Sequence, residues 1–242
     1  MSQPPPLLLI HGSCHGAWAW DLVIPELEVL GHSARAIDLP GHGRDATPAA
    51  RVTLDLYAEA IVSALREQGP SVLVGHSMGG YPITAAAARA PDLVRRLVYV
   101  CAYLPAPDLS LADMRRAGPR QPLAGAIRLS PDRAAFTFDP EQVEALFYHD
   151  CPPGAVEHAR QRLTPQPVAP QETALPDLPQ IAEIPKHYVI CEDDRTIPPE
   201  YQETMSAGLA PGHVVRLPSS HSPFFSMPGR LARILSDIAR QE

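Results

Sequence analysis

Short, mostly apolar stretches alternate with amphipathic helical patterns along most of this chain, and this alternation constrains its fold more than any other feature. Apolar runs without polar interruption are typical of parallel strands that are covered on both faces. The predicted strands are 7–11, 34–38, 72–76, 97–102, 188–192 and 214–217. The predicted helices are 20–30, 54–68, 81–90, 199–208 and 228–240. This order predicts an α/β fold with a mostly parallel, doubly wound sheet and right-handed crossovers.

One long segment interrupts the alternation. Residues 105–185 hold fourteen of the 29 prolines and no convincing strand pattern. Three helices are predicted in it, at 108–116, 140–149 and 153–163. The second has a good start signal, because Asp139 is a capping carboxylate and Pro140 suits a first helical position. We therefore expect a helical cap, residues 105–185, inserted between two strands of a core formed by residues 1–104 and 186–242.

The composition narrows the class of protein. With 242 residues and 45% hydrophobic residues, the chain can bury a sizeable core. Its net charge of −7 gives no basic surface for nucleic acid. The apolar run at 7–10 is too short for a membrane span or for the core of a signal peptide. The four cysteines have no C-x-x-C spacing, so we expect free thiols. Together these features predict a cytoplasmic protein without nucleic-acid or membrane partners.

The pentapeptide from Gly75 to Gly79 lies between a predicted strand and a predicted helix. Its sequence, Gly-His-Ser-Met-Gly, matches the G-x-S-x-G turn that exposes a serine hydroxyl between strand and helix. The glycines allow a strained turn and a close approach of the two elements. A serine hydroxyl is a poor nucleophile unless a base takes its proton. Ser77 therefore predicts a carboxylate and a histidine further along the chain.

His221 is the best candidate for the base, because it follows the last predicted strand. Loops at the carboxyl ends of strands carry the ligands and catalytic groups of open α/β sheets. The acid is expected after the preceding strand, where Glu192, Asp193 and Asp194 are adjacent. Asp194 is favoured because it lies furthest past the strand end, and Asp193 stays an alternative.

Two backbone N–H groups are needed to stabilise the oxyanion of acyl transfer. Met78, directly after the serine, supplies one of them, and the loop after the first strand supplies the other. In that loop Ser13 is the predicted donor, and Gly12 lets the backbone approach the substrate carbonyl.

No metal or organic cofactor is predicted. The spacing of His11, Cys14 and His15 permits a metal, but their Gly-rich loop would not align the ligands and no matching pair lies nearby. The sequence has no Gly-rich phosphate loop of the Walker or dinucleotide-binding type.

These motifs resemble the α/β-hydrolase superfamily and, more narrowly, its branch of hydroxynitrile lyases, plant methyl-ester hydrolases and related bacterial esterases. The matching segments are 11–18, 75–80, 151–153, 191–194, 197–198 and His221. The resemblance implies an α/β-hydrolase fold with a triad of Ser77, Asp194 and His221 and oxyanion donors Ser13 and Met78. It implies substrate-binding residues at Gly12, Tyr103 and Leu104. Because members of the branch are often dimers, a homodimer is the partner to look for besides a small ester.

Two positions favour hydrolysis over cyanide elimination. The cyanohydrin lyases of the branch carry a threonine where this chain has Gly12, and a lysine that helps departing cyanide where it has Ser222. The resemblance therefore implies a serine-dependent hydrolase of small carboxylic esters that works through an acyl-enzyme. A hydroxynitrile lyase with the same triad and a non-catalytic protein that binds a small ligand are the alternatives.

Overall fold

The computed structural model of the protein describes residues 4–241. In this part of the chain the strands are β1 (Leu7–Ile10), β2 (Ala34–Ile37), β3 (Ser71–His76), β4 (Val94–Val100), β5 (Ile127–Leu129), β6 (Ala135–Phe138), β7 (Gln166–Pro167), β8 (Lys186–Cys191) and β9 (Val214–Leu217). Six of them form one sheet in the order β2-β1-β3-β4-β8-β9, and each neighbouring pair in it is parallel. The predicted parallel sheet is confirmed, and its strands start and end within three residues of the predicted positions.

Ten α-helices lie within residues 4–241, and those outside residues 105–185 pack on the two faces of this sheet. The ten helices are α1 (Val23–Val29), α2 (Leu54–Gln68), α3 (Gly80–Arg89), α4 (Leu111–Ala117), α5 (Val143–Phe147), α6 (Pro153–Arg160), α7 (Ala169–Glu172), α8 (Pro199–Ser206), α9 (Pro223–Ser226) and α10 (Pro228–Arg240). The bounds of α2 and α10 are those that the sequence predicts. Thr53 caps α2, because its hydroxyl accepts a hydrogen bond from the N–H of Leu56 at 3.1 Å. No helix within residues 4–241 is long and apolar enough to cross a membrane.

The unbroken apolar strands are explained by burial on both faces. In β1, Leu7 and Leu9 belong to the core cluster that includes residues of α1 and α10. Leu8 and Ile10 belong to the cluster that includes residues of α2 and α3. Because successive side chains of a strand point to opposite faces, both halves of such a run must be apolar.

The sheet has its topological switch point between β1 and β3. The chain continues from β1 to β2 on one side and returns to β3 on the other side. In open α/β sheets the crevice at the carboxyl ends of two such strands is where ligands bind. The loop with Gly12 and Ser13 follows the carboxyl end of β1, and the turn with Ser77 follows the carboxyl end of β3.

The predicted cap, residues 105–185, is called the insert below, and it lies between the neighbouring strands β4 and β8. The prediction that it contains no strand is wrong, because β5, β6 and β7 form a small antiparallel sheet. Each of these strands has only two to four residues, and β7 contains Pro167, so the sequence shows no strand pattern at these positions. The second helix begins at Val143 rather than Pro140, since Asp139 accepts from the N–H of Glu141 in a preceding turn.

Candidate active site

The turn after β3 holds Ser77 in a strained conformation. Its φ angle is +55°, in the left-handed region that non-glycine residues rarely adopt. The turn also requires glycine nearby, because a β-carbon on Gly75 would lie 2.6 Å from the carbonyl oxygen of Gly79. This close crossing places the serine at the tip of a sharp turn that leads into α3.

Ser77, His221 and Asp194 come together at the carboxyl ends of three strands and form one chain of hydrogen bonds. His221 Nε2 lies 2.9 Å from Ser77 Oγ, and His221 Nδ1 lies 2.6 Å from Asp194 Oδ2. All three residues are buried. A carboxylate can only accept, so Nδ1 carries the imidazole proton and Nε2 is left to accept from the serine hydroxyl.

Asp194 has further donors that stabilise its charge. Its Oδ1 accepts from the N–H groups of Thr196 at 2.6 Å and Ile197 at 2.9 Å, and its Oδ2 accepts from Gln202 Nε2 at 2.9 Å. Donors of this kind favour the ionised form of a buried carboxyl group. The alternative acid, Asp193, is exposed, and its carbonyl oxygen accepts from the ring of His149.

The ring of His76 contacts His221 and donates a hydrogen bond to its backbone, a role that the sequence analysis did not predict. Its Nε2 donates to the carbonyl oxygen of His221 at 2.8 Å, and the two rings lie 4.7 Å apart. Burial lowers the pKa of His76 well below its usual value, and the charges of His221 and His15 act in the same direction. The ring is therefore neutral. A β-carbon on Gly12 would lie 2.7 Å from His76 Nδ1, so this packing also requires glycine at position 12.

The predicted oxyanion donors lie on the two loops that leave β1 and β3. Ser13 lines the same cavity as Ser77. Among the turn and loop hydrogen bonds of residues 4–241, none has the N–H of Ser13 or of Met78 as its donor. Both N–H groups therefore remain available to a substrate oxygen.

Side chains of the insert hold the loop that carries Ser13. Gln171 Nε2 donates to Ser13 Oγ at 2.8 Å. The N–H of Cys14 donates to Gln166 Oε1 at 3.3 Å, and the carbonyl of Cys14 accepts from the N–H of Thr164 at 2.9 Å. The loop is thus fixed by three contacts from one segment far away in the sequence.

A buried histidine adds a fourth contact between the loop and the insert. His15 Nδ1 donates to the carbonyl oxygen of Ser13 at 2.7 Å, so its Nε2 accepts from the hydroxyl of Tyr148 at 2.6 Å. Burial lowers the pKa of His15 to about 3, and the ring stays neutral in this position.

A cavity of about 20 Å³ adjoins Ser77 and His221. Its apolar wall consists of Tyr103, Leu111, Leu123, Phe136, Phe138, Phe147 and Ile197. Of the predicted substrate-binding residues, Tyr103 lines this cavity, whereas Gly12 and Leu104 do not. Gly12 packs against His76 and Ser77, and Leu104 packs against the cluster of α2 and α3. A site of this kind, apolar with a few polar groups, suits a small organic ligand.

Most of the potential metal-ligand atoms at the site are engaged in hydrogen bonds, although His76 Nδ1 has no partner within residues 4–241. His76, Cys101 and His221 each offer a ligand atom, and these atoms lie within 4.8 Å of one another. However, both ring nitrogens of His221 are bonded to Ser77 and Asp194, and the Cys101 thiol donates to the carbonyl of His221 at 3.6 Å. Burial also raises the pKa of the Cys101 thiol, which disfavours the thiolate that metals bind. The geometry therefore favours hydrogen bonding over coordination.

Comparison with known proteins identifies the family. The family model for the alpha/beta hydrolase family matches residues 7–234. The chain is 33% identical over 247 residues to a pyrethroid hydrolase of Sphingobium wenxiniae, covering 96% of this chain and 87% of that protein. It is 33% identical over 253 residues to methylesterase 18 of Arabidopsis thaliana, covering 96% of each. A crystal structure of a pyrethroid hydrolase from Sphingobium faniae matches with a TM-score of 0.88 at 31% identity over 97% of both chains. The chain therefore belongs to the alpha/beta hydrolase family.

Proposed function

We propose that this protein is a serine-dependent hydrolase of small carboxylic esters. The observation that carries the proposal is the hydrogen-bonded chain from Ser77 through His221 to Asp194, beside a cavity that Ser13 also lines. The names of the relatives, a pyrethroid hydrolase and a methylesterase, support ester hydrolysis as the reaction.

In the first half of the reaction, Ser77 Oγ attacks the ester carbonyl while His221 Nε2 takes its proton. Asp194 keeps the proton on Nδ1 and stabilises the imidazolium that forms. The N–H groups of Ser13 and Met78 donate to the tetrahedral oxyanion. The alcohol then leaves with the proton from His221, and the acyl group stays on Ser77.

In the second half, water attacks the acyl-enzyme and gives its proton to His221. The tetrahedral oxyanion forms in the same place, and its collapse releases the carboxylic acid and returns the proton to Ser77. The roles of these residues need no metal or organic cofactor. The insert acts as a cap over the site, and the cytoplasmic location and the homodimer stay predictions.

A lyase is the weaker candidate because the two positions that favour cyanide elimination are not equipped for it. No side-chain hydroxyl fits at Gly12, where a β-carbon would also lie 2.9 Å from the Ser77 β-carbon. Ser222, after the predicted base, is buried and uncharged, and its hydroxyl has no hydrogen-bond partner among residues 4–241.

The test is hydrolysis of p-nitrophenyl acetate, butyrate and hexanoate by the wild type and by Ser77→Ala. We expect turnover by the wild type and a loss of at least about 10⁴-fold in kcat for the variant, since it has no nucleophile. A parallel assay with mandelonitrile should release no cyanide. Equal ester turnover by both proteins, or cyanide release without ester turnover, would contradict the proposal.

A further inference from the structure

The cavity at Ser77 adjoins a larger groove on the surface of the insert. This groove has a volume of about 510 Å³ and is lined by residues of α4, β5, β6 and α7. Arg115, Phe136 and Gln171 line both spaces and therefore form the partition between them. For a substrate whose ester lies at Ser77, these three side chains stand between the reacting carbonyl and the groove.

Arg115 is the unusual member of the partition. It is half-buried on α4, and it is the one arginine or lysine that lines the cavity at Ser77. Within residues 4–241 its guanidinium forms no ion pair, whereas Arg116 pairs with Asp113 at 2.6 Å and Arg120 pairs with Glu200 at 2.7 Å. Arginine is a strong bidentate donor to carboxylates, so this side chain has unused binding capacity at the entrance of the site.

The surroundings of Arg115 do not cancel its charge. Arg115, Arg116 and Arg133 line the groove together with a single acidic residue, Glu172. Asp113 neutralises Arg116 from outside the groove. The groove is thus locally positive on a protein with a net charge of −7, and such a local field attracts anionic ligands.

A neighbouring hydroxyl group responds to the same charge. Burial raises the pKa of Tyr103, and the Arg115 charge acts in the opposite direction. Tyr103 lines the cavity beside Ser77, so the guanidinium is close enough to influence groups within the cavity itself.

We propose that Arg115 is a specificity-determining residue that binds a carboxylate on the part of the substrate remote from the reacting ester. The preferred substrates are then monoesters of dicarboxylic acids, with the ester at Ser77 and the free carboxylate at Arg115. This proposal rests on the proposed ester hydrolysis and names its substrate class. The reaction adds water across the ester bond and yields the dicarboxylic acid and an alcohol.

The test compares monomethyl succinate, glutarate, adipate and suberate with the neutral methyl alkanoates of equal chain length. We expect the wild type to prefer the anionic ester at one or more lengths, by about 10- to 100-fold in kcat/KM, since hydrogen bonds to charged groups contribute about 1.5–3 kcal/mol. Arg115→Gln should remove this preference, so that kcat/KM falls by about 10-fold or more further for the anionic ester than for the neutral ester of the same length. Arg115→Lys should keep part of it, and added salt should weaken it in the wild type.

Arg95→Gln is the matched control, because it removes the same charge from an exposed position. Arg95 lies at the amino end of β4, whereas the active site lies at the carboxyl ends of the strands. It should keep the wild-type preference. If Arg115→Gln and Arg95→Gln show the same ratio of anionic to neutral rates, or if the wild type shows no preference at any length, the proposal is overturned.

A binding measurement separates this proposal from the proposed function. Calorimetry with monomethyl adipate and Ser77→Ala should detect binding that is lost when Arg115→Gln is added. If the wild type hydrolyses no ester, the proposed function fails, and this measurement still decides whether Arg115 binds the carboxylate. Equal binding with and without Arg115 would overturn the proposal even if ester hydrolysis is observed.

Discussion

The sheet and the insert contribute to the same cavity in different ways. The loops at the carboxyl ends of β3, β8 and β9 bring Ser77, Asp194 and His221 together. The insert contributes the aromatic wall and the hydrogen bonds of Gln171 and Tyr148 to the loop after β1. The positions of the reacting groups therefore depend on the geometry of a parallel sheet, whereas the shape of the cavity and the support of the oxyanion loop depend on a segment of short, irregular elements.

The largest effect is expected in the sheet region, from Asp194→Asn. The amide would favour the wrong imidazole tautomer, so kcat should fall by about 10⁴-fold. Asp193→Asn is the matched control, because it makes the same change in an adjacent, exposed side chain. Steady-state kinetics on a p-nitrophenyl ester measure both variants, and similar kcat values for the two would contradict the assignment of Asp194 as the acid.

A smaller effect is expected in the insert, from Gln171→Leu. Loss of an oxyanion donor typically costs about 10²–10³-fold in rate, and this variant only loosens the loop that carries Ser13, so we expect about a 10-fold fall in kcat. KM for a neutral ester is measured in the same assay, because Gln171 also lines the cavity at Ser77. A kcat within 2-fold of the wild type would contradict the role of Gln171 in supporting the loop that carries Ser13.

Gln161→Leu is the control for this variant within the insert. Gln161 lies at the end of α6, where its side chain donates to exposed Glu157 at 2.7 Å and contacts no part of the cavity. It should retain wild-type kcat. Thermal unfolding of both variants shows whether a fall in kcat comes from loss of the fold.

An effect on stability rather than on rate concerns the buried histidines His11 and His15. Burial lowers the pKa of His11 to about 4 and that of His15 to about 3, against about 6.5 in an unfolded chain. The unfolded chain therefore binds more protons below pH 6.5, and the stability from these neutral rings, complete above that pH, is lost as the pH falls towards 4 and 3. Tm should decline over this window, and a constant Tm from pH 7 to 4.5 would contradict the buried neutral state.

The same measurement on His15→Gln tests one of these rings separately. His15 lies in the loop after β1, where its ring contacts Tyr148 of the insert. Proton uptake on unfolding at pH 5, obtained from the pH dependence of stability, should fall by about one. Unchanged uptake would show that this ring is not the group that resists protonation.

The sequence predicts the sheet region well, for a physical reason. Strands buried on both faces are apolar runs, and Asp194 and His221 lie in the loops that follow β8 and β9. The donors from the insert have no comparable signal. Gln166 bonds to a residue 152 positions away and Gln171 to one 158 positions away, so their role depends on contacts that no local pattern records. Leu104 shows the same limit, since its direction is set by packing against α2 and α3.

The cavity at Ser77, with about 20 Å³, has room for a water molecule and not for an ester. We therefore expect an ester to bind to a wider arrangement of the insert that is in equilibrium with this one. The apparent dissociation constant of every substrate is then its intrinsic value divided by the population of the wider form. A substitution that shifts this equilibrium would scale the apparent affinities of different esters by a common factor and leave their ranking unchanged.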